Sequence, residues 1–484
     1  MGNKSNKIMG NKSNNQIPLL FGYESKEKPI VHFIGVGGIG LSSLAQWFLS
    51  QNWQVSGSDA SFNETISYLK KLGLKFKLGH KNRNINSKIK LVVYSQAIPQ
   101  NNPEIMEAKR KNIPLKSYPE VVGYLTNIYK TIAIAGAHGK STTTALTSLM
   151  LLNYDLDPTV IIGTKLKEFK NTNFRKGKGK YLVLEADEYG GAFWNYSPTF
   201  AIITNIDNEH LDFYKNFTNV KKSFLRFLNN VKFGGTIILN KDSKDLYQLK
   251  KEIEKIAKFK NLNIIWYSLK DKDALKIKKA IQIPGEHNIS NALAVFNLGK
   301  VLKIPETQIL HSISKYNGSW RRMEYKGKFN LNLKTKNINI LVYDDYAHHP
   351  TEIKSTLSAF ANKYSQSPII CVFEPHQAKR LKELFKDFTN SFSNADIVFI
   401  LPIHKVLGRD KNEKKFNSKN LVKAILKKYP KKLVFYIDEY KKIKPELKKV
   451  LESIDLRKFK NPNEAILIIM GAGNIYKYTE KLLN

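Results

Sequence analysis

The chain has little cysteine and no long apolar runs. A single Cys among 484 residues excludes a disulfide framework and a cysteine-based zinc site, and it is typical of a reducing cytosol. No apolar run reaches the roughly 18 residues that span a bilayer, so we expect no stable membrane insertion. The apolar stretch Ile17 to Phe21 is too short for a secretory signal. We therefore expect a cytoplasmic protein.

Acidic residues are also scarce, at 41 against 79 basic ones, which gives a formal net charge of +38. Such an excess suggests an anionic partner, which is a nucleic acid, a membrane surface or a phosphorylated substrate. The lysines are spread along helical stretches such as 421–432 and 441–449, which favours solvated helix faces. The length predicts roughly three domains, and a hydrophobic content of 42% is enough for a sizeable core.

Residues 1–28 are predicted to be a disordered leader. The polar hexapeptide MGNKSN at 1–6 recurs at 9–14. An N-myristoylation signal needs Ser or Thr at position 6, where this chain has Asn6.

From Pro29 onward, short apolar runs alternate with amphipathic stretches, the pattern of βαβ units. Near-continuous apolar strands separated by helices predict an α/β fold with parallel sheets covered on both faces. The predicted strands are Ile30–Ile34, Gln54–Gly57, Leu91–Tyr94, Thr131–Ala135, Tyr181–Leu184, Phe200–Thr204, Gly235–Leu239, Ile338–Tyr343, Ile369–Phe373, Ile397–Leu401, Leu433–Tyr436 and Ala465–Met470.

A glycine turn follows the first predicted strand and opens a helix. Its glycines are Gly35, Gly37, Gly38 and Gly40, a spacing that allows backbone N–H groups to approach a diphosphate. Asp59 lies about 20 residues further on, where a ribose-binding acid of a dinucleotide site would sit. The residues leave open whether the turn binds NAD, binds a nucleotide sugar, or serves packing alone.

A second phosphate loop follows the strand at 131–135. Its residues are Gly136, Ala137, His138, Gly139, Lys140, Ser141 and Thr142, and a helix comes next. In such a loop the lysine neutralises β/γ-phosphate oxygens and the hydroxyl binds Mg²⁺. The loop departs from the usual pattern because position 134 is Ile rather than Gly.

Acidic residues follow the next two strands, in Glu185-Ala186-Asp187-Glu188 and in the segment 204–212, which contains His210. Carboxylates at strand ends beside a phosphate loop are natural Mg²⁺ ligands. The alternative is that they cap ordinary loops.

Further along, several segments complete a recognisable series. In order, it comprises the glycine turn 35–40, the loop 136–142, residues 185–188 and 204–212, Gly285–Asn288 with Asn291, Trp320–Glu324, Asp344–Glu352, Phe373–His376 with Arg380, and Gly471–Gly473. This series resembles the Mur ligases of bacterial cell-wall synthesis. The resemblance covers nearly everything from residue 29 to the C-terminus.

The resemblance implies three domains. They are a Rossmann-like UDP-sugar-binding domain at 29–128, a central P-loop ATPase domain at 129–322, and a Rossmann-like domain at 323–484 that holds an amino acid. Within the family, the chain is most similar to members that use ATP and Mg²⁺ to join L-alanine to the lactyl carboxylate of UDP-N-acetylmuramate. The resemblance implies an acyl phosphate as the reaction intermediate. We expect the protein to be a monomer or a homodimer.

The resemblance also implies roles for individual residues. The UDP-sugar would contact Gly35, Gly37, Gly38, Gly40, Ser42, Asp59 and Ser95, although Ser95 is equally well read as a turn residue. ATP would contact Gly136, Ala137, His138, Gly139, Lys140, Ser141, Thr142, His287, Asn291, Arg322 and Asp345. The metal ligands would be Ser141, Glu185 and His210, and the catalytic residues Lys140, His348, His376 and Arg380.

Two points stay open among these residues. Either His348 or His376 could accept the proton of the amine. Gln377 stands where many relatives have Arg, which puts more weight on Arg380 for anion binding. The neighbouring His349-Pro350 is expected to begin a helix.

Three other functions compete with this interpretation. Tyr189 is shared with relatives that attach a recycled tripeptide to the same UDP-sugar. A folylpolyglutamate-type ligase is a more distant alternative. A nucleic-acid-binding protein would explain the charge, but the chain has no aromatic RNA-binding signature and no zinc-finger spacing, so we expect no nucleic-acid partner.

Overall fold

The computed structural model describes residues 28–405 and 415–483, which form two compact units. The N-terminal unit comprises the chain up to Asp271 together with Leu293–Ser312, and the C-terminal unit comprises Lys272–Ala292 and the chain from Ile313 onward. The predicted leader lies almost wholly outside the described residues. Within the described ranges, no helix is both long and apolar enough to cross a membrane.

The first sheet of the N-terminal unit has five parallel strands in the order β3-β2-β1-β4-β5. The strands are β1 (Ile30–Ile34), β2 (Gln54–Asp59), β3 (Lys75–Leu78), β4 (Ile89–Tyr94) and β5 (Leu115–Ser117). The helices are α1 (Ile39–Ser50), α2 (Glu64–Lys71), α3 (Pro103–Arg110) and α4 (Tyr118–Ile128), with a 3-10 turn at Asn82–Asn84.

The register of this sheet brings the predicted UDP-sugar residues to one edge. Ile34 pairs with both Ser58 and Tyr94. The residues that follow these three, Gly35, Asp59 and Ser95, therefore lie side by side at the carboxyl edge of the sheet, where α/β sheets bind ligands.

The second sheet has seven strands in the order β12-β11-β10-β6-β9-β7-β8. The strands are β6 (Lys130–Ala135), β7 (Thr159–Leu166), β8 (Thr172–Arg175), β9 (Tyr181–Glu185), β10 (Phe200–Ile203), β11 (Thr236–Asn240) and β12 (Asn263–Tyr267). The helices are α5 (Lys140–Asn153), α6 (Leu211–Tyr214), α7 (Phe217–Asn229), α8 (Lys244–Tyr247) and α9 (Lys250–Lys260), with 3-10 turns at Lys167–Phe169 and Tyr189–Asn195. Its central strand β6 pairs with β9, placing Ile134 opposite Glu185, and with β10, placing Ala135 opposite Ile203. The phosphate loop and the acidic segments thus share one edge.

Three helices follow along the chain: α10 (Lys272–Ala280), α11 (Glu286–Val301) and α12 (Glu306–Ser314). The third sheet has the order β13-β14-β18-β15-β16-β17, with strands β13 (Glu324–Asn332), β14 (Asn337–Asp345), β15 (Ile369–Phe373), β16 (Ile397–Ile400), β17 (Leu433–Tyr436) and β18 (Glu464–Met470). Its helices are α13 (Pro350–Lys363), α14 (Ala378–Glu383), α15 (Phe385–Thr389), α16 (Ser418–Lys428), α17 (Ile443–Ser453) and α18 (Tyr476–Leu483), with 3-10 turns at Tyr440–Lys442 and Leu456–Lys458.

Apolar side chains cover both faces of the first and third sheets. One buried cluster extends from Val31 on β1 to Leu262 and joins the first two sheets, and a second cluster around Ile34 and Ile105 covers the other face of the first. In the third sheet, Cys371 packs into one cluster and its neighbours Ile370 and Val372 into the opposite one. This confirms the expected three-sheet α/β architecture.

The expectation of parallel strands alone was wrong at two places. The β7–β8 and β13–β14 pairs are antiparallel hairpins. In both, one strand lies at the edge of its sheet. An antiparallel neighbour needs only a short connection and no crossover helix, so the alternation of strands and helices did not indicate it.

Candidate active site

The phosphate loop is shaped by two glycines in left-handed backbone conformations. Gly136 has φ +134°, and a Cβ there would lie 2.1 Å from the hydroxyl oxygen of Thr204. Gly139 has φ +84° and precedes the first residue of α5, Lys140. Asn205 fixes the loop, because its backbone and side-chain oxygens accept from the N–H groups of Ala137 (3.2 Å) and His138 (2.9 Å). The loop therefore leads into a helix N-terminus, as phosphate cradles do.

Lys140 is enclosed by acceptors. Its ammonium donates to the carbonyl oxygens of Gly136 (2.7 Å) and Ala137 (3.2 Å) and lies 2.9 Å from a carboxylate oxygen of Glu188. Burial opposes the charge, but Glu188, Asp187 and Glu185 outweigh it and raise the pKa of Lys140. The side chain is therefore a fixed positive charge at neutral pH.

Ser141 and Glu185, both predicted to bind metal, contact each other. The Ser141 hydroxyl donates to one carboxylate oxygen of Glu185 at 2.9 Å, and the backbone N–H of Gly163 donates to the other at 2.7 Å. A Cβ at Gly163 would lie 2.7 Å from this carboxylate, so a larger residue there would displace the Glu185 side chain.

His210, the third predicted ligand, lies beside Glu188 rather than Glu185. Its Nε2 is 3.5 Å from a Glu188 oxygen, and its ring packs edge-on against Tyr189. Burial would lower the pKa of His210, but Glu188 raises it. Burial would raise the pKa of Glu188, yet Lys140 and His210 lower it.

Asp187, Glu188 and His210 each offer one ligand atom within 4.8 Å of the others. The carboxylates of Asp187 and Glu188, near the Ser141 hydroxyl and the Glu185 carboxylate, form an oxygen-rich donor set that fits Mg²⁺. Glu188 belongs to the acidic segment expected to bind Mg²⁺, but the family resemblance implied only Ser141, Glu185 and His210 as metal ligands. The position of Glu188, three residues after Glu185, was the available signal.

The glycine turn is tied to the end of β2. The Ser58 carbonyl accepts from the N–H groups of Gly35 (2.8 Å) and Val36 (3.0 Å), and the Asp59 carboxylate accepts from Gly37 N–H at 2.9 Å. Gly35 has φ +87°. A Cβ on Gly37 would lie within about 3 Å of the side chains of Asn63 and Asp59, so a larger residue there would displace them.

The other predicted UDP-sugar residues differ in accessibility. A Cβ on Gly40 would contact the Tyr118 ring at 3.2 Å, while Gly38 is exposed with only backbone nearby. Ser95 is half-buried, and its hydroxyl accepts from the N–H of Ala97, as in a turn. Ser42 is fully buried, with its hydroxyl donating to Ile39 O and accepting from the Asn173 amide. The roles of these residues stay predictions.

In the C-terminal unit, β14, β15, β16 and β18 end in register. Met470 pairs with both Asp345 and Phe373, and Phe373 pairs with Ile400. The segments that follow these strands therefore form a second cluster of polar residues at one sheet edge.

Asp345 connects two parts of this edge. Its carboxylate oxygens accept from the N–H groups of Met323 and Ala347, both at 2.8 Å. Burial raises its pKa to about 6, against the effect of Arg322. The Arg322 guanidinium lies over the Tyr346 ring and 3.8 Å from Glu352.

Asp344, the neighbour of Asp345, is expected to make the folded state less stable as pH rises. Burial raises its pKa from 3.8 to about 7, although a Thr479 hydrogen bond and Arg321 oppose this. Between about pH 4 and 7 the folded state holds a proton that the unfolded state has lost, so folding weakens as pH rises. Asp344→Asn should flatten the melting temperature against pH. Asp438→Asn is the control. Lys442 lowers the pKa of this exposed acid, so its proton is lost below the range of about pH 4 to 7. In that range, the melting-temperature curve of Asp438→Asn should run parallel to the curve of the unmodified protein. Parallel curves for Asp344→Asn would contradict the assignment.

His348, His376 and Arg380, predicted around the amino acid, lie near one another. The rings of His348 and His376 are 6.0 Å apart. His348 Nδ1 lies 3.1 Å from Tyr346 O and 3.2 Å from Glu352. Burial, with His348 and the Arg380 guanidinium nearby, lowers the pKa of His376 to about 3. His376 is therefore neutral at physiological pH.

Four residues of this cluster had no predicted role. His404 stacks on His376 with an angle of 10° between the rings, and lies 3.9 Å from the buried Glu374. Glu374 accepts a hydrogen bond from the Tyr440 hydroxyl, and the buried Arg321 donates to Gly471 O. Glu374 and Arg321 stood inside recognised motifs, whereas nothing in the sequence pointed to His404 or Tyr440.

The remaining predicted residues lie on regular elements. His287 and Asn291 are one turn apart on α11, with Asn291 buried. His349 caps α13, where Glu352 returns a hydrogen bond to its N–H and Pro350 occupies the first turn. This confirms that His349-Pro350 begins a helix.

Three family models match consecutive parts of the chain. They are the Mur ligase family catalytic domain at residues 30–130, the Mur ligase middle domain at 134–299, and the Mur ligase glutamate ligase domain at 321–473.

Named relatives match over most of their length. A UDP-N-acetylmuramate–L-alanine ligase of Clostridium acetobutylicum is 35% identical over 477 residues, 94% of this chain and 97% of the relative. One from Aquifex aeolicus is 39% identical over 390 residues, 77% and 83% of the two chains. The crystal structure of UDP-N-acetylmuramate-alanine ligase from Thermotoga maritima superposes with a TM-score of 0.71 at 24% identity, over 93% of this chain and 97% of that one. This last likeness shows a shared fold.

Proposed function

The chain belongs to the Mur ligase family, and from that premise we propose that it joins L-alanine to the lactyl carboxylate of UDP-N-acetylmuramate, converting ATP to ADP and phosphate. The observation that carries this proposal is the phosphate loop. In it, Lys140 pairs with Glu188, and the next residue, Ser141, donates a hydrogen bond to Glu185. The relatives from Clostridium and Aquifex bear the name of this activity. The proposed setting is the cytoplasm, where ATP and UDP-sugars occur, with the enzyme a monomer or homodimer.

ATP would bind at the loop 136–142. The backbone N–H groups and the N-terminus of α5 favour phosphate there, and Lys140 supplies a fixed positive charge. His287, Asn291, Arg322 and Asp345 stay the proposed contacts for the rest of the nucleotide. Mg²⁺ would be held by Ser141, Glu185 and His210, with Glu188 beside them, and would offset negative charge on the phosphates.

UDP-N-acetylmuramate would bind at the glycine turn. The turn leads into the N-terminus of α1 at the carboxyl edge of the first sheet, which suits a diphosphate. Gly35, Gly37, Gly38 and Gly40 supply the close approach. Asp59 is proposed to act through the turn, because its carboxylate already accepts from Gly37 N–H. Ser42 and Ser95 remain proposed contacts.

The proposed reaction has two steps. The lactyl carboxylate attacks the γ-phosphate, which breaks the bond to ADP and gives an acyl phosphate. The neutral amine of L-alanine then attacks the acyl carbon, and phosphate leaves as the amide forms. Lys140 stabilises the charge on the transferring phosphoryl group.

The amino-acid site is proposed at His348, His376 and Arg380. Arg380 is the proposed partner of the amino-acid carboxylate. The amine must lose a proton before it attacks. His376 is neutral and can accept a hydrogen bond from an ammonium, but its pKa of about 3 makes it a weak base. We therefore favour His348 as the proton acceptor.

Release of ADP by the purified protein tests the function. With ATP, Mg²⁺ and UDP-N-acetylmuramate present, we expect release to require L-alanine. Serine and glycine, tested in turn, would define the preference. Release that requires the tripeptide and ignores L-alanine would instead support a peptide-recycling ligase.

A further inference from the structure

Glu104 is a fully buried acid outside every motif discussed so far. It lies in the first turn of α3 and has 0% exposure. Moving a carboxylate out of water is strongly unfavourable unless donors surround it. A buried carboxylate therefore fixes the positions of the groups that donate hydrogen bonds to it.

Four side chains converge on this carboxylate. Ser58 donates to Oε2 at 2.5 Å and Asn84 donates to Oε1 at 2.5 Å. His80 Nδ1 lies 3.0 Å from Oε2, and the buried His32 lies 3.5 Å from Oε1. Burial opposes the charge of Glu104, but the nearby His32 and the hydrogen bonds from Ser58 and Asn84 outweigh it and lower the pKa of Glu104 to about 2, so the group is charged at neutral pH.

One branch of this network reaches the glycine turn. Ser58, held through its hydroxyl, accepts at its carbonyl from the N–H groups of Gly35 and Val36. The next residue, Asp59, accepts from Gly37 N–H. The position of Ser58 thus sets the direction of successive N–H groups in the turn.

A second branch reaches the loop after β3. Besides Glu104, the Asn84 side chain donates to Gly79 O at 3.1 Å, and Gly79 N–H donates to Asp59 O at 2.8 Å. His80 lies in the same loop. The segments after β1 and β3 are therefore fixed to one carboxylate supplied by the segment after β4, all at the carboxyl edge of the first sheet.

We propose that Glu104 is a positioning residue for the UDP-sugar, which holds the glycine turn and the loop 79–84 in the arrangement that binds the substrate. This rests on the proposed function, because the glycine turn is the proposed UDP-sugar site. Glu104 has no contact with substrate in this proposal and acts through Ser58 and Asn84.

Glu104→Gln tests the proposal, since glutamine keeps the shape but presents an amide donor to groups that are themselves donors. We expect KM for UDP-N-acetylmuramate, and its Kd measured without ATP, to rise about tenfold, the size of one lost charged hydrogen bond. KM for ATP and L-alanine, and kcat at saturation, should stay within about twofold. Ser58→Ala, which removes one donor and keeps the acid, should shift the same Kd in the same direction by a smaller factor.

Glu107→Gln is the matched control on the same helix. Glu107 pairs with Arg110 and Lys111 and does not contact the network, so all constants should be unchanged. A Glu104→Gln protein with a lower melting temperature but an unaltered Kd for the UDP-sugar would overturn the proposal, as would a proportional rise in all three KM values. If the unmodified protein fails to use UDP-N-acetylmuramate at all, the proposed function fails instead.

Discussion

Replacing Lys140 with methionine is expected to lower ligase turnover about a thousandfold or more while the chain remains folded. Removing one preorganised donor to a developing negative charge commonly costs 10²–10³ in rate. Lys140 is also a full positive charge fixed by Gly136 O, Ala137 O and Glu188. His210 stays beside Glu188 in the variant, so the buried carboxylate keeps a polar partner. Steady-state ADP release and the melting temperature together check this result.

Lys130→Met is the matched control for that experiment. Lys130 is exposed at the opposite end of β6, where its ammonium lies over the Phe200 ring. Its loss should leave turnover within about twofold, since exposed cation–π contacts contribute about 0.5–1 kcal/mol. A Lys140→Met enzyme with more than about a tenth of normal turnover would contradict the role of Lys140 in phosphoryl transfer.

Replacing Gly136 with alanine is expected to abolish activity and to destabilise the N-terminal unit by about 3 kcal/mol or more. A left-handed backbone with a side chain costs about 1–3 kcal/mol. The new Cβ would also lie 2.1 Å from the Thr204 hydroxyl oxygen and 3.1 Å from the backbone of Asn205. To relieve this contact, the phosphate loop must move away from Thr204 and from Asn205, which fixes the loop. Melting temperature and ATP-dependent turnover are the measurements.

Gly234→Ala separates backbone strain from the steric clash. Gly234 also has a positive φ, +69°, but a Cβ there would meet nothing within 4 Å. We expect a loss of about 1 kcal/mol and normal turnover. Equal losses in the two variants would show that the contact with Thr204 is unimportant.

The buried strands could be predicted from the sequence almost to the residue. Ile30–Ile34 and Ile369–Phe373 match fully, as does the apolar edge strand Leu433–Tyr436. Most strands that were not predicted lie at sheet edges, namely β3, β5, β8, β12 and β13. An edge strand is partly exposed and pairs on one side only, so it does not need a continuous apolar run. In β13, charged or amide side chains occupy every second position, and most of the strand is half-buried or exposed.

The local parts of the candidate site could also be predicted, because phosphate loops depend on residues close in sequence. The pairing of distant residues could not. Lys140 contacts Glu188 rather than Glu185, since Glu185 is taken by Ser141 and Gly163. His404 reaches His376 through packing of neighbouring strands. Glu104 was indistinguishable from an ordinary acid in a first helical turn, where acids are common.

The net charge of +38 illustrates the same limit. It suggested an anionic partner without indicating where one binds. Many lysines are exposed on helices, as on α9 and α17, and form ion pairs between neighbouring turns. The positive charge that matters for the proposed chemistry is confined to a few residues such as Lys140, which the fold places by a phosphate loop.

The most direct test of the central claim is the fate of isotopic oxygen in a competition reaction. The enzyme would receive ATP, L-alanine and the tripeptide in equal amounts, and UDP-N-acetylmuramate with ¹⁸O at both oxygens of its lactyl carboxylate. Mass spectrometry of the products should show the alanyl nucleotide and one ¹⁸O in each phosphate released, because the acyl phosphate passes an oxygen to phosphate. A tripeptide adduct as the main product, or phosphate without ¹⁸O, would contradict the proposed reaction.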